Sequence, residues 1–321
     1  GTSALSVAIE QLSWGCAGIS IAYAATGLGA FPIIIHGSEE QKQKFLPRIA
    51  SGESLAAFGL TESAAGSDAG AVKTTAVREG DEYVLNGTKQ WITNGGEADI
   101  YTVIASTNPK KGTRGLSAFI VDKGTKGFDF GKKEDKLGIR ASATRELIFK
   151  DCRIPADNLI YKEGRGFKVA MDTFDASRPG IGAQAVGIAQ AALDYAVEFA
   201  YEREQFDQKI TAFQGIKFKI ADMATRIEAA RNLVYKAADL YDNGDRNAGM
   251  YSSMAKLFAS DTAMDVTVEA VQIYGGNGYM KEYPVEKLMR DAKITQIYEG
   301  TNEIQREIIG KDIVKNIVRG N

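Results

Sequence analysis

The chain of 321 residues is poor in the side chains on which many catalytic and metal sites depend. It contains a single histidine, His36, and only two cysteines, Cys16 and Cys152. A Ser-His-Asp or Cys-His mechanism would have to depend on His36 alone, and a structural zinc site would lack soft ligands. Two cysteines so far apart do not form a disulfide scaffold, which favours a reducing compartment. We therefore predict no metal site, and chemistry that uses carboxylates, hydroxyls, backbone groups or a bound organic cofactor.

Long runs of one charge or of apolar residues are also missing. The 39 basic and 41 acidic residues leave a formal charge of −2, and no basic stripe is present that would bind nucleic acid. No apolar run approaches the roughly 18–20 residues that a membrane-spanning helix needs. The sequence predicts a soluble protein with no nucleic-acid partner and no membrane span. Bacterial cytoplasm and mitochondrial matrix both fit this composition.

The spacing of apolar residues divides the chain into three segments. Residues 1–52 have helical spacing from the first turn, and this abrupt start leads us to expect that a preceding helical portion is absent. Residues 53–160 contain short strand-like runs separated by glycines. Residues 161–321 are helical again. The predicted fold is therefore α+β, with a helical N-terminal segment, a central antiparallel β domain and a C-terminal four-helix bundle.

Local patterns add expectations about single elements. Ser38, followed by two glutamates and Gln41, is typical of a helix start. The pair Asn86-Gly87 predicts a two-residue hairpin turn, because both positions of that turn need positive φ. In the third segment, apolar spacing predicts two buried helix faces. The first consists of Ile216, Ile220, Met223, Ile227, Ala230 and Val234, and the second of Met254, Leu257, Asp261, Met264, Val268 and Val271.

No standard nucleotide-binding motif is present. A G-x-G-x-x-G run after a strand and a Walker lysine are both missing, which argues against a Rossmann domain. The segment 61–68 instead offers backbone N–H groups and short hydroxyls that suit a phosphate or a polar heterocycle, although a solvated connecting loop has the same composition. Trp91 and Thr93 end a predicted strand on one face. This pair is compatible with contact to a planar cofactor, whereas the tryptophan taken alone is more typical of a core residue.

A carboxylate near the C-terminus is the strongest acid–base candidate. Asn302 with Gln305 resembles a capping box, so Glu299 lies just before a helix, in a loop made flexible by Gly300. A carboxylate at that position either complements the helix dipole or serves as a general base. In the second case an apolar ligand that excludes water would raise its pKa.

The segment 61–68, the strand end with Trp91 and Thr93, and the loop with Glu299 follow one another in an order that resembles the acyl-CoA dehydrogenase family of flavoenzymes. The resemblance extends over essentially the whole chain. The most specific motifs are V-Q-I-Y-G-G-N-G-Y at 271–279, E-Y-P-V-E-K at 282–287, R-D-A-K at 290–293 and Y-E-G-T at 298–301. The segments 166–171 and 174–179 are most similar to medium- and short-chain members. The resemblance implies the three-part fold above, non-covalently bound FAD, a homotetramer and a role in fatty-acid β-oxidation. It also implies a further N-terminal helical portion, which supports the expectation of an incomplete first segment.

The resemblance implies a reaction and its participants. Glu299 would remove the α-proton of an acyl-CoA thioester while the β-hydrogen leaves as hydride to the flavin N5, which gives the trans-2-enoyl-CoA. The backbone N–H of Glu299 and a cofactor hydroxyl would polarise the thioester carbonyl. The positions that match substrate contacts are Ser67, Asp175, Arg178, Tyr298 and Gly300. For Arg178 a surface ion pair is an equally good interpretation. The implied electron acceptor is an electron-transferring flavoprotein.

The positions that match FAD contacts fall into three groups. The first surrounds the flavin ring and the phosphates and comprises Phe58, Leu60, Thr61, Ser67, Trp91, Ile92 and Thr93. The second holds the adenosine end across a subunit interface and comprises Arg203, Phe206, Phe213, Gln214, Gln272, Gly275 and Gly276. The third, Thr301 and Glu303, follows the base. If a subunit interface completes the cofactor site, cofactor binding and oligomerisation form one equilibrium.

Two residues depart from the family pattern. Ser63 stands where proline is usual, which predicts a slightly looser flavin loop. Asp207 stands where most members have glycine, which weakens the expectation of a tight turn after Phe206. Two alternatives stand beside the dehydrogenase. An acyl-CoA oxidase is disfavoured because those chains are usually much longer, and a non-catalytic relative is disfavoured because a scaffold has no need of Glu299.

Overall fold

A computed structural model of the chain describes residues 1–318, whose internal contacts define two units. The sheet unit comprises Ala22–Asp135 and Ala141–Phe174. The helical unit comprises Gly1–Ile21, Lys136–Arg140 and Asp175–Asn321, of which 319–321 lie outside the described residues. The division of the sequence into domains 1–52, 53–160 and 161–321 stays a prediction.

The sheet unit consists of eight strands together with α2 (Glu39–Ala50) and the second part of α1 (Thr2–His36). The strands are β1 (Ala56–Gly59), β2 (Thr75–Glu79), β3 (Glu82–Thr93), β4 (Ile100–Ser106), β5 (Leu116–Asp122), β6 (Phe128–Phe130), β7 (Thr144–Pro155) and β8 (Leu159–Ile160). They lie in the order β6-β7-β3-β2-β4-β5-β8, with β1 beside β4. Ser38 caps α2 through a capping box with Gln41, which confirms the predicted helix start.

Two features of the sheet differ from the prediction. β1 and β2 pair with β4 in parallel, so the sheet is mixed rather than wholly antiparallel. The predicted hairpin at Asn86-Gly87 is wrong, because β3 continues through both residues with a register shift against β7. Gly87 has a φ of 144°, and a Cβ there would lie 2.5 Å from Oγ1 of Thr74. The glycine therefore serves a β-bulge, which needs the same conformational freedom as a turn.

The sheet carries an apolar cluster on each face. Tyr101 belongs to one cluster and Ile100 to the other, as expected for neighbours along a strand. The second cluster also contains Ile33 of α1 and Phe45 of α2, so these helices cover that face. All seven residues of β4 are buried, which is typical of a strand covered on both sides.

Helix α1 is interrupted at Cys16, where the backbone is extended (φ −162°, ψ 109°). Beside the break, Oγ of Ser20 donates to the carbonyl oxygen of Ile9 at 3.2 Å. We predict no segment long and apolar enough to cross a membrane. By length and hydropathy this prediction is wrong, because an 18-residue window of α1 has a mean hydropathy of 1.7. Of that window 44% is buried inside the protein. A buried core helix passes the same test, so α1 is weak evidence for a membrane span.

The helical unit contains most of α3 (Gly166–Glu202), followed by α4 (Gln214–Asp242), α5 (Ala248–Tyr274), α6 (Val285–Lys293) and α7 (Asn302–Val318). A hairpin of β9 (Glu204–Gln205) and β10 (Gln208–Lys209) lies between α3 and α4. Three helices meet at Gly182 of α3, where a Cβ would lie 2.7 Å from Val234 of α4 and 3.4 Å from the carbonyl oxygen of Ala255 in α5. Helix α7 packs on α5, and α3, α4, α5 and α7 form the predicted bundle.

Of the two predicted buried helix faces, one is confirmed over its last four residues and the other is wrong. On α4, Met223, Ile227, Ala230 and Val234 are buried. On α5, Val268 of the predicted face is 47% exposed. The buried residues there are mostly small or polar and include Ser252, Ala255, Lys256, Ala259, Ser260, Ala263 and Thr267. Helices α4, α6 and α7 all pack on α5, and small side chains allow this close approach, so apolar spacing does not identify the buried face.

Candidate active site

The loop that carries Glu299 has an unusual backbone. After α6, a 3₁₀ turn over Ile294–Gln296 leads into a short loop that ends where α7 begins. Glu299 has a φ of 53° and Gly300 a φ of 91°. The left-handed conformation costs a residue with a Cβ roughly 1–2 kcal/mol. A residue keeps such a conformation only where the surrounding structure holds it, and such residues cluster at functional sites.

Three side chains hold the two carbonyl groups of this loop. The buried Gln305 donates from Nε2 to the carbonyl oxygens of Glu299 at 3.1 Å and Gly300 at 2.9 Å. Nζ of Lys256 donates to the Gly300 carbonyl at 2.8 Å. Nε of Arg178 donates to the Glu299 carbonyl at 3.4 Å. The loop is therefore fixed from α3, α5 and α7 at once.

The carboxylate of Glu299 is half-buried and accepts a hydrogen bond of 2.5 Å from Oγ of Ser177 on α3. Burial by the protein itself raises the pKa of Glu299 to about 7, because it disfavours the charged form. The hydrogen bond from Ser177 and the positive charges of Arg178 and Lys256 oppose this rise. A carboxyl group with a pKa near neutrality is suited to general-base catalysis, whereas a partner of the helix dipole has no need of a raised pKa.

Arg178 is a buried residue, only 4% exposed, so its interpretation as part of a surface ion pair is wrong. Its Nη1 pairs with Oδ1 of Asp175 at 3.2 Å. Burial lowers the pKa of Arg178, and the carboxylates of Asp175 and Glu299 oppose this. The hydroxyl of Tyr298 donates to Gln184 on α3, and burial raises the pKa of this tyrosine. Of the predicted substrate residues, the helical unit thus brings together Asp175, Arg178, Tyr298 and Gly300, while the exposed Ser67 belongs to the sheet unit.

Sequence reasoning misses most of the residues that hold Glu299. Asn302 is not a helix cap, since Oγ1 of Thr301 accepts from the N–H of Ile304 at 3.4 Å. The Asn302 side chain instead binds α5, where it accepts from Lys256 at 2.8 Å and donates to Asp261 at 2.7 Å. Lys256 is the one charged residue on the buried face of α5. An isolated lysine among small residues of a helix is the feature in the sequence that marks this cluster.

In the sheet unit, the segment 61–68 forms a turn with exposed backbone donors. Glu62 and Ala65 exchange two backbone hydrogen bonds of 3.2 and 3.0 Å. Ser63, Gly66 and Ser67 are exposed, and their N–H groups make no hydrogen bond within residues 1–318. Free N–H groups beside short hydroxyls are the donors that phosphate oxygens require.

A buried ion pair connects this turn to β3. Lys89 is completely buried, and its Nζ donates to Oε1 of Glu62 at 2.6 Å and to the carbonyl oxygen of Leu60 at 3.0 Å. The Glu62 carboxylate also accepts from the backbone N–H groups of Lys73 at 2.7 Å and Thr74 at 3.0 Å. Burial lowers the pKa of Lys89 to about 8, against the attraction of Glu62. Sequence reasoning misses this pair, which fixes the turn where a looser loop is expected.

Strand β3 ends with an exposed tryptophan. Trp91 is 61% exposed and has a φ of 57°, so its interpretation as a core residue is wrong. A register shift against β7 between Lys89 and Ile92 interrupts the strand alternation, and the prediction that Trp91 and Thr93 share a regular strand face is wrong. Ile92 is buried in the core, and Thr93 is half-buried. The exposed indole offers a flat apolar surface to a ligand.

The other predicted flavin residues of the sheet unit lie on β1 or just after it. Phe58 is buried and packs edge-on against Phe174, with ring centroids 5.7 Å apart. Leu60 is buried, and its carbonyl accepts from Lys89. Thr61 is half-buried, and its carbonyl accepts from the N–H of Gln90 at 2.8 Å. The segment 58–61 therefore leads from the core to the exposed turn.

The residues predicted to hold the adenosine end of FAD lie in the helical unit. Phe206 and Asp207 form the turn of the β9–β10 hairpin with φ values of 55° and 59°, as in a type I′ turn, so the tight turn forms without glycine. Phe206 is 86% exposed and packs edge-on against the half-buried Phe213. The remaining members of this group are all exposed: Arg203, Gln214, Gln272, Gly275 and Gly276. In the third group, which follows Glu299, Thr301 is half-buried and Glu303 is exposed.

These residues have the chemistry that FAD requires. The unengaged N–H groups of the turn suit a pyrophosphate, and the exposed ring of Trp91 suits the flat isoalloxazine. In the helical unit, Arg203 and Phe206 provide an exposed guanidinium and an exposed ring, which suit the charged and aromatic parts of a nucleotide. The residues present therefore fit the cofactor.

Comparison with known proteins covers nearly the whole chain. Family models match the acyl-CoA dehydrogenase N-terminal domain at residues 1–53, its middle domain at 57–152 and its C-terminal domain at 164–314. The acyl-CoA dehydrogenase of Bacillus subtilis (strain 168) is 56% identical over 306 residues, 95% of this chain and 80% of that protein.

Two solved structures share both sequence and fold with this chain. Butyryl-CoA dehydrogenase from Megasphaera elsdenii is 52% identical with a TM-score of 0.95, over 96% of this chain and 81% of that one. A chain from a study of the electron transferring flavoprotein of Acidaminococcus fermentans is 54% identical with a TM-score of 0.95, over the same shares. With half of the residues identical and the same order of helices, mixed sheet and bundle, the chain belongs to the acyl-CoA dehydrogenase family of FAD-dependent oxidoreductases.

Proposed function

We propose that Glu299 is the base that removes the α-proton of an acyl-CoA thioester, in the α,β-dehydrogenation that gives the trans-2-enoyl-CoA. The observation that carries this proposal is a carboxylate on a loop held by three side chains, with its pKa raised to about 7. A base is most effective when its pKa lies near the working pH. An ordinary exposed glutamate would be ionised but much less basic.

In this proposal, residues of this chain accept the α-proton and stabilise the negative charge that develops on the thioester oxygen. Bound FAD supplies the acceptor for the hydride that leaves the β-carbon. Glu299 takes the α-proton on its carboxylate, so it must be ionised when turnover begins and is neutral when the enoyl thioester has formed. Its backbone N–H makes no hydrogen bond within residues 1–318 and is available to the thioester oxygen, where negative charge develops.

Substrate and cofactor bind, in this proposal, to the residues that the family resemblance indicates. Around Glu299, the buried charge of Arg178 is held by Asp175, and Tyr298 and Gly300 flank the base. The exposed N–H groups of the 61–68 turn support its role with the FAD phosphates, together with Ser67 at the substrate. The exposed residues Arg203, Phe206 and their neighbours support a cofactor site that a second subunit completes.

We further propose a short-chain substrate, an electron-transferring flavoprotein as acceptor, and a homotetramer in the bacterial cytoplasm. The similarity to butyryl-CoA dehydrogenase supports a short acyl chain. The similarity to a chain studied with an electron transferring flavoprotein supports the acceptor. The bacterial origin of these relatives supports the compartment.

Anaerobic addition of butyryl-CoA to the yellow holoprotein tests the proposed reaction. We expect the flavin absorbance to bleach within seconds to minutes and the enoyl thioester to form in equal amount. Octanoyl-CoA and palmitoyl-CoA, compared in the same experiment, should bleach the flavin more slowly. An unbleached flavin with all three thioesters would contradict the dehydrogenase and favour a non-catalytic relative.

The same sample separates a dehydrogenase from an oxidase. After bleaching, air is admitted and reoxidation is followed with and without an electron-transferring flavoprotein. Slow reoxidation in air and fast reoxidation with the protein acceptor are expected. Fast formation of hydrogen peroxide in air alone would identify an oxidase instead.

A further inference from the structure

Lys256 is a buried cation that the proposed proton transfer does not use. It lies in the N-terminal half of α5 and has no exposed surface. Its Nζ donates to the Gly300 carbonyl and to Oδ1 of Asn302, each at 2.8 Å. Both acceptors lie within three residues of Glu299. The lysine therefore binds the chain on the C-terminal side of the base.

A buried lysine at this position lowers the stability of the fold, so its presence indicates a function. Removing an ammonium from water costs several kcal/mol even after the protein relaxes, and the neighbouring residues on this face of α5 are small and neutral. A methionine would fill the same space without that cost. What a methionine would not supply is a donor to the Gly300 carbonyl.

The backbone of the loop explains why that donor is needed. Glu299 and Gly300 both have positive φ, and the left-handed conformation is unfavourable for glutamate. Gln305 and Lys256 both bind the Gly300 carbonyl, from α7 and α5. Asn302 joins the first turn of α7 to the same lysine and, through Asp261, to the next turn of α5. The loop is thus locked between two helices.

We propose that Lys256 is a positioning residue for the base: its ammonium holds the Gly300 carbonyl and the start of α7, and so keeps Glu299 in the conformation in which its carboxylate meets Ser177. This inference rests on the proposed role of Glu299. Lys256 does not contact the substrate and takes no proton from it.

The charge of Lys256 adds an electrostatic effect to this geometry. The charged groups around it are Glu299, Arg178, Asp261 and Glu303. Burial and Arg178 lower the pKa of Lys256 to about 7, and the three carboxylates oppose this. In return, the ammonium lowers the pKa of Glu299. Loss of the ammonium should therefore leave a base that ionises only at higher pH.

Lys256→Met tests both parts in the intact holoprotein. The readout is the first-order rate of anaerobic flavin bleaching by saturating butyryl-CoA between pH 6 and pH 9. At pH 7 we expect the rate to fall on the order of 10- to 100-fold, because a displaced base loses its alignment. The pH at which the rate is half-maximal should rise by on the order of one unit. FAD content and the Kd of butyryl-CoA should stay close to the wild-type values.

Two further variants separate position from charge. Gln305→Met removes the donor from α7 to the Gly300 carbonyl, and to the Glu299 carbonyl beside it, but no charge, so the rate should fall with the half-maximal pH unchanged. Lys311→Met, on the exposed surface of α7, is the matched control and should leave rate and pH profile unchanged. If Lys256→Met does not yield folded flavoprotein, Gln305→Met decides: a slowed rate supports the lock on the Gly300 carbonyl, and a wild-type rate overturns it.

The outcomes of this experiment and of the functional test are distinguishable. A wild-type protein that butyryl-CoA does not bleach refutes the proposed function itself. A wild-type protein that bleaches, together with a Lys256→Met variant of equal rate and equal pH profile, refutes the positioning role alone. A slower Lys256→Met variant with an unchanged pH profile and lost FAD would show a merely structural lysine and also refutes it.

Discussion

At the scale of single residues, Glu299 works against the stability of the protein. Its backbone has the left-handed conformation, and its carboxylate is kept from full contact with water. Each feature costs folding free energy, and each has a use only if the carboxylate must accept a proton. Lys256 and Gln305 offset part of this cost through the hydrogen bonds that they donate to the loop.

Because burial of the ionised Glu299 carboxylate costs folding free energy, Glu299→Gln should stabilise the protein in a pH-dependent way. The folded-state pKa of Glu299 is about 7, above its ordinary value of 4.5. The protonated carboxyl stabilises the folded protein fully at pH values below the ordinary pKa of 4.5. This stabilisation is lost as the pH rises through about 7. Glutamine is neutral throughout, so the variant should be more stable than wild type at pH 8, by on the order of 1–3 kcal/mol. At pH 4.5 the difference should be small.

Thermal unfolding of both proteins at the two pH values measures this effect. The difference in Tm between variant and wild type should be several degrees larger at pH 8 than at pH 4.5. An equal difference in Tm at both pH values would mean that burial does not raise the pKa of the Glu299 carboxyl.

At the scale of elements, one glycine sets the distance between α1 and β1. A Cβ on Gly29 would lie 2.5 Å from the nitrogen and 2.8 Å from the carbonyl oxygen of Ala57 in β1. The Gly29 carbonyl also accepts a hydrogen bond of 3.0 Å from Oγ1 of Thr102 in β4. The helix therefore touches the sheet backbone, and neither element has room for a side chain between them.

Gly29→Ala should accordingly destabilise the sheet unit. Forced separation of a packed helix and strand costs about 1–3 kcal/mol or more, although alanine is otherwise the better helix former. Gly310→Ala in α7 is the matched control, because a Cβ there would meet nothing within 4 Å among residues 1–318. It should leave stability unchanged or raise it by up to about 1 kcal/mol. Urea unfolding of the three proteins measures both effects, and a Gly29→Ala variant as stable as wild type would show that the contact relaxes freely.

The elements also show what the sequence can and cannot predict. The start of α2 and the central buried face of α4 depend on neighbouring residues, so local patterns identify them. The bulge at Gly87 and the turn expected there need the same φ, and only the pairing with β7, more than 50 residues away, distinguishes them. Apolar spacing does not predict the buried face of α5, because several helices pack on small residues there.

The candidate site divides in the same way. The motif around Glu299 is contiguous, and its resemblance to a family is what points to Glu299 as the proposed base. The partners of the base are distant in the sequence: Ser177 lies 122 residues before it, and Lys256 lies 44 residues before the carbonyl that it holds. No local pattern relates these residues to Glu299, because the contact exists only once α3, α5 and α7 have packed.

At the scale of the whole molecule, the exposed residues of the helical unit suggest an assembly. Phe206 lies in the β9–β10 turn and is 86% exposed, and Tyr279 is 81% exposed near the end of α5. Large exposed aromatic side chains are typical of protein interfaces. They lie in the segments that the family resemblance assigns to FAD and to a neighbouring subunit, so cofactor binding and assembly should be coupled.

Arg203→Ala tests this coupling. We expect the variant to lose FAD on dilution at protein concentrations where wild type stays yellow, with a parallel fall in oligomer size. Its affinity for acyl-CoA, measured on the FAD-loaded protein, should change much less. Arg246→Ala, another exposed arginine on the α4–α5 connection, is the control and should behave as wild type. Equal losses of FAD and acyl-CoA binding in Arg203→Ala would contradict the assignment.

The most direct test of Glu299 as the base is the rate of anaerobic flavin bleaching in Glu299→Gln, with saturating butyryl-CoA. The variant should stay yellow and bind butyryl-CoA, yet bleach slower by roughly 10²–10⁴-fold, the contribution of a positioned base. The wild-type rate should rise with pH through about 7, as the carboxylate ionises, and the residual rate of the variant should not. A Glu299→Gln protein that bleaches at a near-wild-type rate would show that another group removes the proton.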